Sequence, residues 1–311
     1  MDISNLFSKN LNELLFMADS VRQENVGDII HIRALLEISN ICYRNCAYCG
    51  LRSANNNLTR YAMEIENIEK TGKLAFDNGY KTIVLQSGES NIYDIEKFAE
   101  MVNRLSSIGL IVTLSLGELS YNQLKLLKAA GANRYLLKFE TADEKIYSSL
   151  HKGHYLSERL ECLSYIKELG YEVGSGFLVG LPCESEEIVI KNLALLENLQ
   201  CDMAGIGVFI PHKETPLKDI KCGSVEVTKK CIAITRLLLP KCNIPITTSL
   251  SEFGDKYSMF FGGANVIMQN ITPQNLVENY QIYPKNSVKI DMVKDRENLV
   301  QDLIRLNRIP L

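Results

Sequence analysis

The run Ala34-Leu35-Leu36-Glu37-Ile38 leads into Cys42-Tyr43-Arg44-Asn45-Cys46-Ala47-Tyr48-Cys49. A run that short and apolar reads as a buried strand, expected over 33–39, so the three cysteines lie on the loop that leaves it. A loop can fold three thiolates around one metal centre. A structural zinc site takes four closed ligands. A 4Fe–4S cluster held by three cysteines leaves one iron without a protein ligand, open to a small molecule. A zinc knuckle or three unrelated thiols are the plainer alternatives, and the spacing alone leaves them open.

The chain around this stretch is ordinary globular protein. It has 311 residues, 46% of them hydrophobic and 23% charged, enough for one large core. The formal net charge of −3 gives no electrostatic case for nucleic acid or an anionic membrane. No window holds 18 uncharged apolar residues, so no membrane span is expected. The opening Met1-Asp2-Ile3-Ser4-Asn5 lacks the basic region of a signal peptide. Apart from Cys42, Cys46 and Cys49, the cysteines are scattered and read mostly as small core residues. The expected setting is the reducing, anaerobic cytoplasm.

Going outward from the cysteine loop, strands and helices alternate. A single N-terminal helix is expected over 5–24, and Asn55, Asn56 and Asn57 mark an exposed loop tip. Further strands are expected at 81–86, 110–116, 134–138, 172–179, 203–210, 244–248 and 264–268. Between them lie helical patterns closed by glycines such as Gly79, Gly131 and Gly170. Ser120 and Gln123 form a capping box. Eight strands alternating with helices imply a (β/α)8 barrel of the TIM type, with a six-strand partial barrel as the alternative. The expected organisation is an N-terminal helical extension (1–30), the barrel (31–285) and a C-terminal helical tail (286–311).

Barrel chemistry lies at the C-terminal ends of the strands. The second strand ends Gln86-Ser87-Gly88-Glu89, which can set a carboxylate against an ammonium group. Thr113 and Ser115 share one side of the third. The fourth ends Lys138-Phe139-Glu140-Thr141, where Glu140 is placed to accept from two vicinal hydroxyls or to cap the next helix. Arg159, on that following helix, is either a guanidinium fork for a carboxylate or a solvated charge paired with Glu158 or Glu161. Glycines in Gly176-Phe177-Leu178-Val179-Gly180 and Gly205-Ile206-Gly207 allow a flat ligand to approach backbone. His212 reads as structural.

The Cys-x3-Cys-x-aromatic-Cys pattern resembles the signature of the radical S-adenosylmethionine (SAM) enzymes, and Ser87-Gly88-Glu89 resembles their Gly-Gly-Glu motif. The segments NRYLLKFETAD (133–143), TIVLQSGES (82–90), TLSLGE (113–118), GIGVFIPHKETPL (205–217), LLLPKCNIPITTSL (237–250) and GANVIMQNITP (263–273) look like the HydE family of FeFe-hydrogenase maturases, close to biotin synthase and methylornithine synthase. The resemblance spans about residues 30–285. It implies a 4Fe–4S cluster on Cys42, Cys46 and Cys49, whose open iron chelates SAM, and reductive cleavage of SAM to a 5′-deoxyadenosyl radical. SAM contacts carry over to Tyr48, Gln86, Ser87, Glu89, Ser115, Glu140 and Arg159. Substrate contacts carry over to Arg33, Arg134, Thr247 and Thr248. The implied substrate is a small iron–cysteine complex bearing CO and cyanide, on the way to the hydrogenase diiron subcluster. An external one-electron donor such as ferredoxin or flavodoxin and the other hydrogenase maturases are the implied partners. The chain departs from the family at Lys138-Phe139, where arginine and histidine are expected, and at Pro273-Gln274-Asn275-Leu276-Val277, where a tyrosine and an arginine are. These departures leave open a HydE-like relative acting on another small metabolite, in the manner of methylornithine synthase or biotin synthase. No cysteine follows Cys242 to supply a second cluster.

Overall fold

A computed structural model describes residues 2–254, 257–285 and 289–311. Met1 and the expected start of the tail at residue 286 lie outside the described residues. The strands are β1 (Ile29–Ser39), β2 (Thr82–Ser87), β3 (Ile111–Ser115), β4 (Ala132–Leu136), β5 (Glu172–Ser175), β6 (Leu178–Val179), β7 (Met203–Ala204), β8 (Gly207–Val208), β9 (Pro245–Ile246), β10 (Val266–Asn270) and β11 (Ile309–Pro310). The helices are α1 (Ile3–Ser8), α2 (Leu11–Val26), α3 (Ile65–Asp77), α4 (Ile95–Ser107), α5 (Tyr121–Ala129), α6 (Glu144–Leu150), α7 (Leu156–Glu168), α8 (Glu186–Leu199), α9 (Val225–Leu238), α10 (Thr248–Ser251), α11 (Gln274–Val277) and α12 (Met292–Arg305).

Eight parallel strands follow one another in the order β7-β5-β4-β3-β2-β1-β10-β9. The seam between the two ends is joined by a parallel bridge from Met203 to Asn243. There Asn243 N–H donates to Asp202 O (2.8 Å) and Ala204 N–H to Asn243 O (3.0 Å). The result is the (β/α)8 barrel, not the six-strand alternative. β1 is buried along nearly all of its length, as a parallel strand covered on both faces must be. Ala34, Leu36 and Ile38 enter the main core under the helices, and the alternate residues face the barrel interior.

Three expectations are corrected. The N-terminal helix is two helices, because the Asn10 side chain accepts from Glu13 N–H (2.9 Å) and starts α2 afresh. Asn55 is buried, its amide donating to Gly50 O (2.7 Å), so the loop tip is Asn56 and Asn57. The fifth and sixth strands are each broken: β5 and β7 end where Gly176 and Gly205 meet, and β6 and β8 resume as a separate pair. Periodicity reads each as one strand because apolar residues continue through the break. Gly176 has φ 156°, and a Cβ there would lie 2.0 Å from Gly205 O. At the other end of the fold, β11 pairs with the start of β1, setting Ile309 beside Ile29, within the stretch expected as an N-terminal extension.

The Gly176–Gly205 approach leaves no room for a side chain, so Gly176→Ala is expected to lower stability by about 3 kcal/mol or more. Denaturant unfolding checks this, and a loss under about 1 kcal/mol contradicts it.

Candidate active site

The loop after β1 lies across the C-terminal mouth of the barrel and is tied down by backbone bonds on three sides. Tyr43 N–H donates to Glu89 O (2.9 Å), Ala47 N–H to Leu150 O (2.8 Å) and Gly50 N–H to Ile282 O (2.8 Å). Arg60 holds the loop from within, donating to the carbonyls of Asn40 (2.7 Å), Leu51 (2.8 Å) and Arg52 (2.7 Å). Gly88 permits the loop to touch the end of β2: a Cβ on it would lie 2.4 Å from Ile41 O and 2.8 Å from Cys42 Cβ. Ile146, Leu150, Leu181 and Phe209 form a small apolar cluster that packs on Ala47 and Tyr48.

Cys42, Cys46 and Cys49 are free thiols that this loop brings within electrostatic reach of one another. Burial, then the neighbouring Cys42, pushes the Cys46 thiol up to about 12. Burial, then Cys46, holds Cys49 well above its usual value, and burial raises Cys42. Among the described residues no three His, Cys, Asp or Glu side chains converge on a point that suits a single metal ion. The donor set fits a 4Fe–4S cluster: three soft thiols in apolar surroundings, unfavourable as thiolates until a polynuclear iron centre supplies the compensating charge.

Beside the loop is a cavity of about 280 Å³. It is lined by eight residues expected at the site, Tyr48, Gln86, Ser87, Ser115, Glu140, Arg159, Thr247 and Thr248. They come from six separate segments; all but Arg159 stand at a strand's C-terminal end or in the loop beyond it, while Arg159 reaches in from α7, the second helix after β4. Glu140 adopts φ 65°, a left-handed conformation that a non-glycine residue rarely takes and that often marks a functional site. Its Oε2 lies 3.2 Å from Lys138 Nζ. Arg159 is buried and no solvated charge: its Nε pairs with Glu118 Oε1 (2.7 Å) and its Nη1 donates to Lys138 O (3.2 Å). Glu118 also receives Arg44 Nη2 (2.6 Å).

Three expected residues are placed elsewhere. Glu89 is buried at the cavity's edge with its carboxylate already engaged by Arg44 (2.6 Å) and by Tyr43 O–H (2.8 Å). Arg33 and Arg134 stand two residues before Leu35 and Leu136, which line the cavity, so the period of two sets them one layer deeper in the barrel. There Arg33 Nη1 lies 2.9 Å from Met203 Sδ, while Arg134 pairs with Glu172. Burial, then Arg134, lowers Arg33 to about 9.

The structure adds residues that the sequence reading missed. Lys285 Nζ pairs with Glu37 Oε1 across the cavity wall (2.7 Å), and Asn270 donates to Glu37 Oε2 (3.0 Å). A lone carboxylate inside Ala34-Leu35-Leu36-Glu37-Ile38 was the available signal for Glu37. Tyr283 O–H donates to Thr248 Oγ1. No local pattern marks Lys285 or Tyr283.

Fold and site together define a barrel enzyme with a three-thiol loop at the mouth of its cavity. The Radical SAM superfamily pattern matches residues 36–196, and that of the Biotin and Thiamin Synthesis associated domain matches residues 206–297. The chain is 45% identical over 279 residues to the [FeFe] hydrogenase maturase subunit HydE of Thermotoga maritima, covering 89% of this chain and 80% of that protein. It is 27% identical over 300 residues to 3-methylornithine synthase of Methanosarcina acetivorans, covering 96% and 83%. The crystal structure of methylornithine synthase (PylB) superposes with a TM-score of 0.88 at 26% identity, covering 100% of this chain and 93% of that one. The chain belongs to the radical SAM superfamily, whose members bind a 4Fe–4S cluster and use SAM, and within it to the HydE family. No helix among the described residues is long and apolar enough to cross a membrane.

Because Gly88 sets the distance between the loop and β2, Gly88→Ala is expected to fold yet carry less than about half the wild-type iron and acid-labile sulfide after reconstitution. Full loading contradicts this packing role.

Proposed function

We propose that this chain is a HydE-type maturase in which Cys42, Cys46 and Cys49 hold the 4Fe–4S cluster and the adjoining cavity binds SAM and a small substrate. The observation that carries the reading is the sharing of one site: Cys46 lies within electrostatic reach of both Arg159 and Glu140, which line the cavity with Tyr48 from the cysteine loop. When bound, the cluster supplies the electron that cleaves SAM to methionine and a 5′-deoxyadenosyl radical. The protein's own residues bind, orient and exclude water.

In this reading Arg159 offers its guanidinium to the SAM carboxylate, held from behind by Glu118 and the Lys138 carbonyl. Glu140 accepts from the ribose hydroxyls, with Lys138 Nζ beside its carboxylate to hold it in place. Gln86, Ser87 and Ser115 add neutral polar contacts at the ends of β2 and β3. Glu89 acts through Arg44 and Tyr43 and through its carbonyl, which fixes the loop. Thr247 and Thr248 face the substrate side of the cavity, and Arg33 and Arg134 give its lower layer positive charge. The substrate is the small iron-bearing precursor of the hydrogenase diiron subcluster, and the reductant is a ferredoxin- or flavodoxin-type donor in the cytoplasm. The reading as a methylornithine- or biotin-type synthase has weaker support, since those relatives stand at 25–29% identity against 45% for HydE.

Anaerobically reconstituted wild-type protein, reduced with SAM present, is expected to release 5′-deoxyadenosine and to support activation of an apo-FeFe hydrogenase with the other maturases. Cys46→Ala is expected to do neither, because two thiols do not hold a cluster with one open iron; retained cleavage overturns the ligand assignment. Arg159→Ala is expected to keep the cluster, since Arg44 still neutralises Glu118, and to weaken SAM binding by roughly 10- to 100-fold. Unchanged affinity in equilibrium dialysis removes Arg159 from the SAM site.

A further inference from the structure

A phenol beside a carbon-centred radical endangers the reaction. Transfer of its hydrogen breaks the phenolic O–H bond and forms a C5′–H bond. It yields 5′-deoxyadenosine and a tyrosyl radical, and the substrate is left unchanged. Tyr48 is such a phenol, on the cysteine loop and in the cavity wall.

The hydrogen-bond geometry shows where the Tyr48 hydroxyl hydrogen points. Tyr48 Oη lies 3.2 Å from His151 Nε2, at the C-terminal end of α6. His151 Nδ1 lies 3.1 Å from Tyr147 O. A carbonyl oxygen only accepts, so Nδ1 carries the imidazole proton. The ring is 2% exposed, and burial, then Arg159, lowers its pKa to about 3, so Nε2 is a bare acceptor throughout the working range. Tyr48 O–H is therefore the donor. The imidazole is fixed in turn, stacked on Tyr147 at 4.2 Å between centroids and edge-on to Tyr48 at 5.5 Å. The bond from Ala47 N–H to Leu150 O clamps the same two segments one residue earlier in each. His151 is not part of the cavity lining, so the O–H bond is aimed into the protein and away from the cavity.

We propose that His151 is a positioning residue that sequesters the Tyr48 hydroxyl hydrogen, so that a radical formed in the cavity reacts with substrate and not with the enzyme. Hydrogen transfer needs the reacting atoms aligned in near contact, and the bond to His151 denies that alignment. The proposal rests on the radical SAM reading of the site and adds to it a protective role for a residue outside the cavity.

The test uses the reconstituted holoenzyme, SAM and reductant in D2O, where the phenolic position carries deuterium. His151→Phe is expected to form several-fold more monodeuterated 5′-deoxyadenosine than wild type, with a tyrosyl radical signal in freeze-quenched EPR. His151→Gln, whose amide oxygen can accept the O–H, is expected to stay near wild type and carries the test if His151→Phe does not load its cluster. Adding Tyr48→Phe to His151→Phe is expected to abolish both the excess deuterium and the signal. Equal deuterium in wild type and His151→Phe overturns the proposal, as does an excess that survives in the double variant. A wild type that forms no 5′-deoxyadenosine refutes the radical SAM reading itself, and the proposal falls with it. A readout independent of turnover is 15N NMR of histidine-labelled, cluster-free protein, assignable because the chain has four histidines. His151 is expected as the Nδ1–H tautomer, with an Nε2 resonance that shifts in Tyr48→Phe; the opposite tautomer contradicts the proposal.

Discussion

Three half-buried thiols held together at one end of a barrel are the constraint on which the rest of this structure depends. Each resists ionisation because of burial, and Cys46 and Cys49 also because another thiol is close. Glu89 and Glu140 nearby add to that resistance. As neutral thiols they rest there at little cost, but as thiolates they need a cation to share the site. The loop that carries the thiols is correspondingly over-determined, pinned by backbone bonds from α6, from the end of β2 and from the segment before Tyr283, and filled by Arg60. Glycines at 50 and 88 stand where the loop touches its neighbours too closely for any side chain.

Charge around the cavity is arranged as pairs that reach across elements. Arg44 joins Glu89 to Glu118, Glu118 joins Arg44 to Arg159, Lys138 meets Glu140, and Lys285 meets Glu37. Buried pairs of this kind contribute little net stability against an apolar alternative, but removing one partner leaves a costly unpaired charge. Their value here is orientation. Each fixes a charged side chain in one pose in the cavity wall or behind it, which is what a site needs if it is to bind a zwitterionic cofactor without reorganising. The same logic extends to a neutral pair, Tyr48 and His151, where the direction of one O–H bond is set by the tautomer of a buried imidazole.

The barrel was legible in the sequence because its signals are local: apolar runs, glycine stops and a capping box at Ser120 and Gln123. The cysteine spacing and the polar residues at strand ends were legible for the same reason, since the fold itself brings strand ends together. The break at Gly176 and Gly205 was not, because it arises from two backbones meeting across strands 29 residues apart in sequence. The depth of Arg33 and Arg134 was not either. Side-chain alternation tells which residues face inward, but the layer at which each sits is visible only once Leu35 and Leu136 are seen to line the cavity above. Lys285 and His151 reach the site through contacts spanning 248 and 103 positions, which no local pattern encodes.

The central claim is that one iron of the bound cluster has no protein ligand and takes SAM. EPR of the reduced, reconstituted protein tests it directly. The account predicts a 4Fe–4S signal whose line shape changes when SAM is added, with hyperfine coupling to 17O or 15N in the labelled carboxylate or amino group of SAM. A cluster signal indifferent to SAM, or a protein that retains zinc in place of iron, contradicts it.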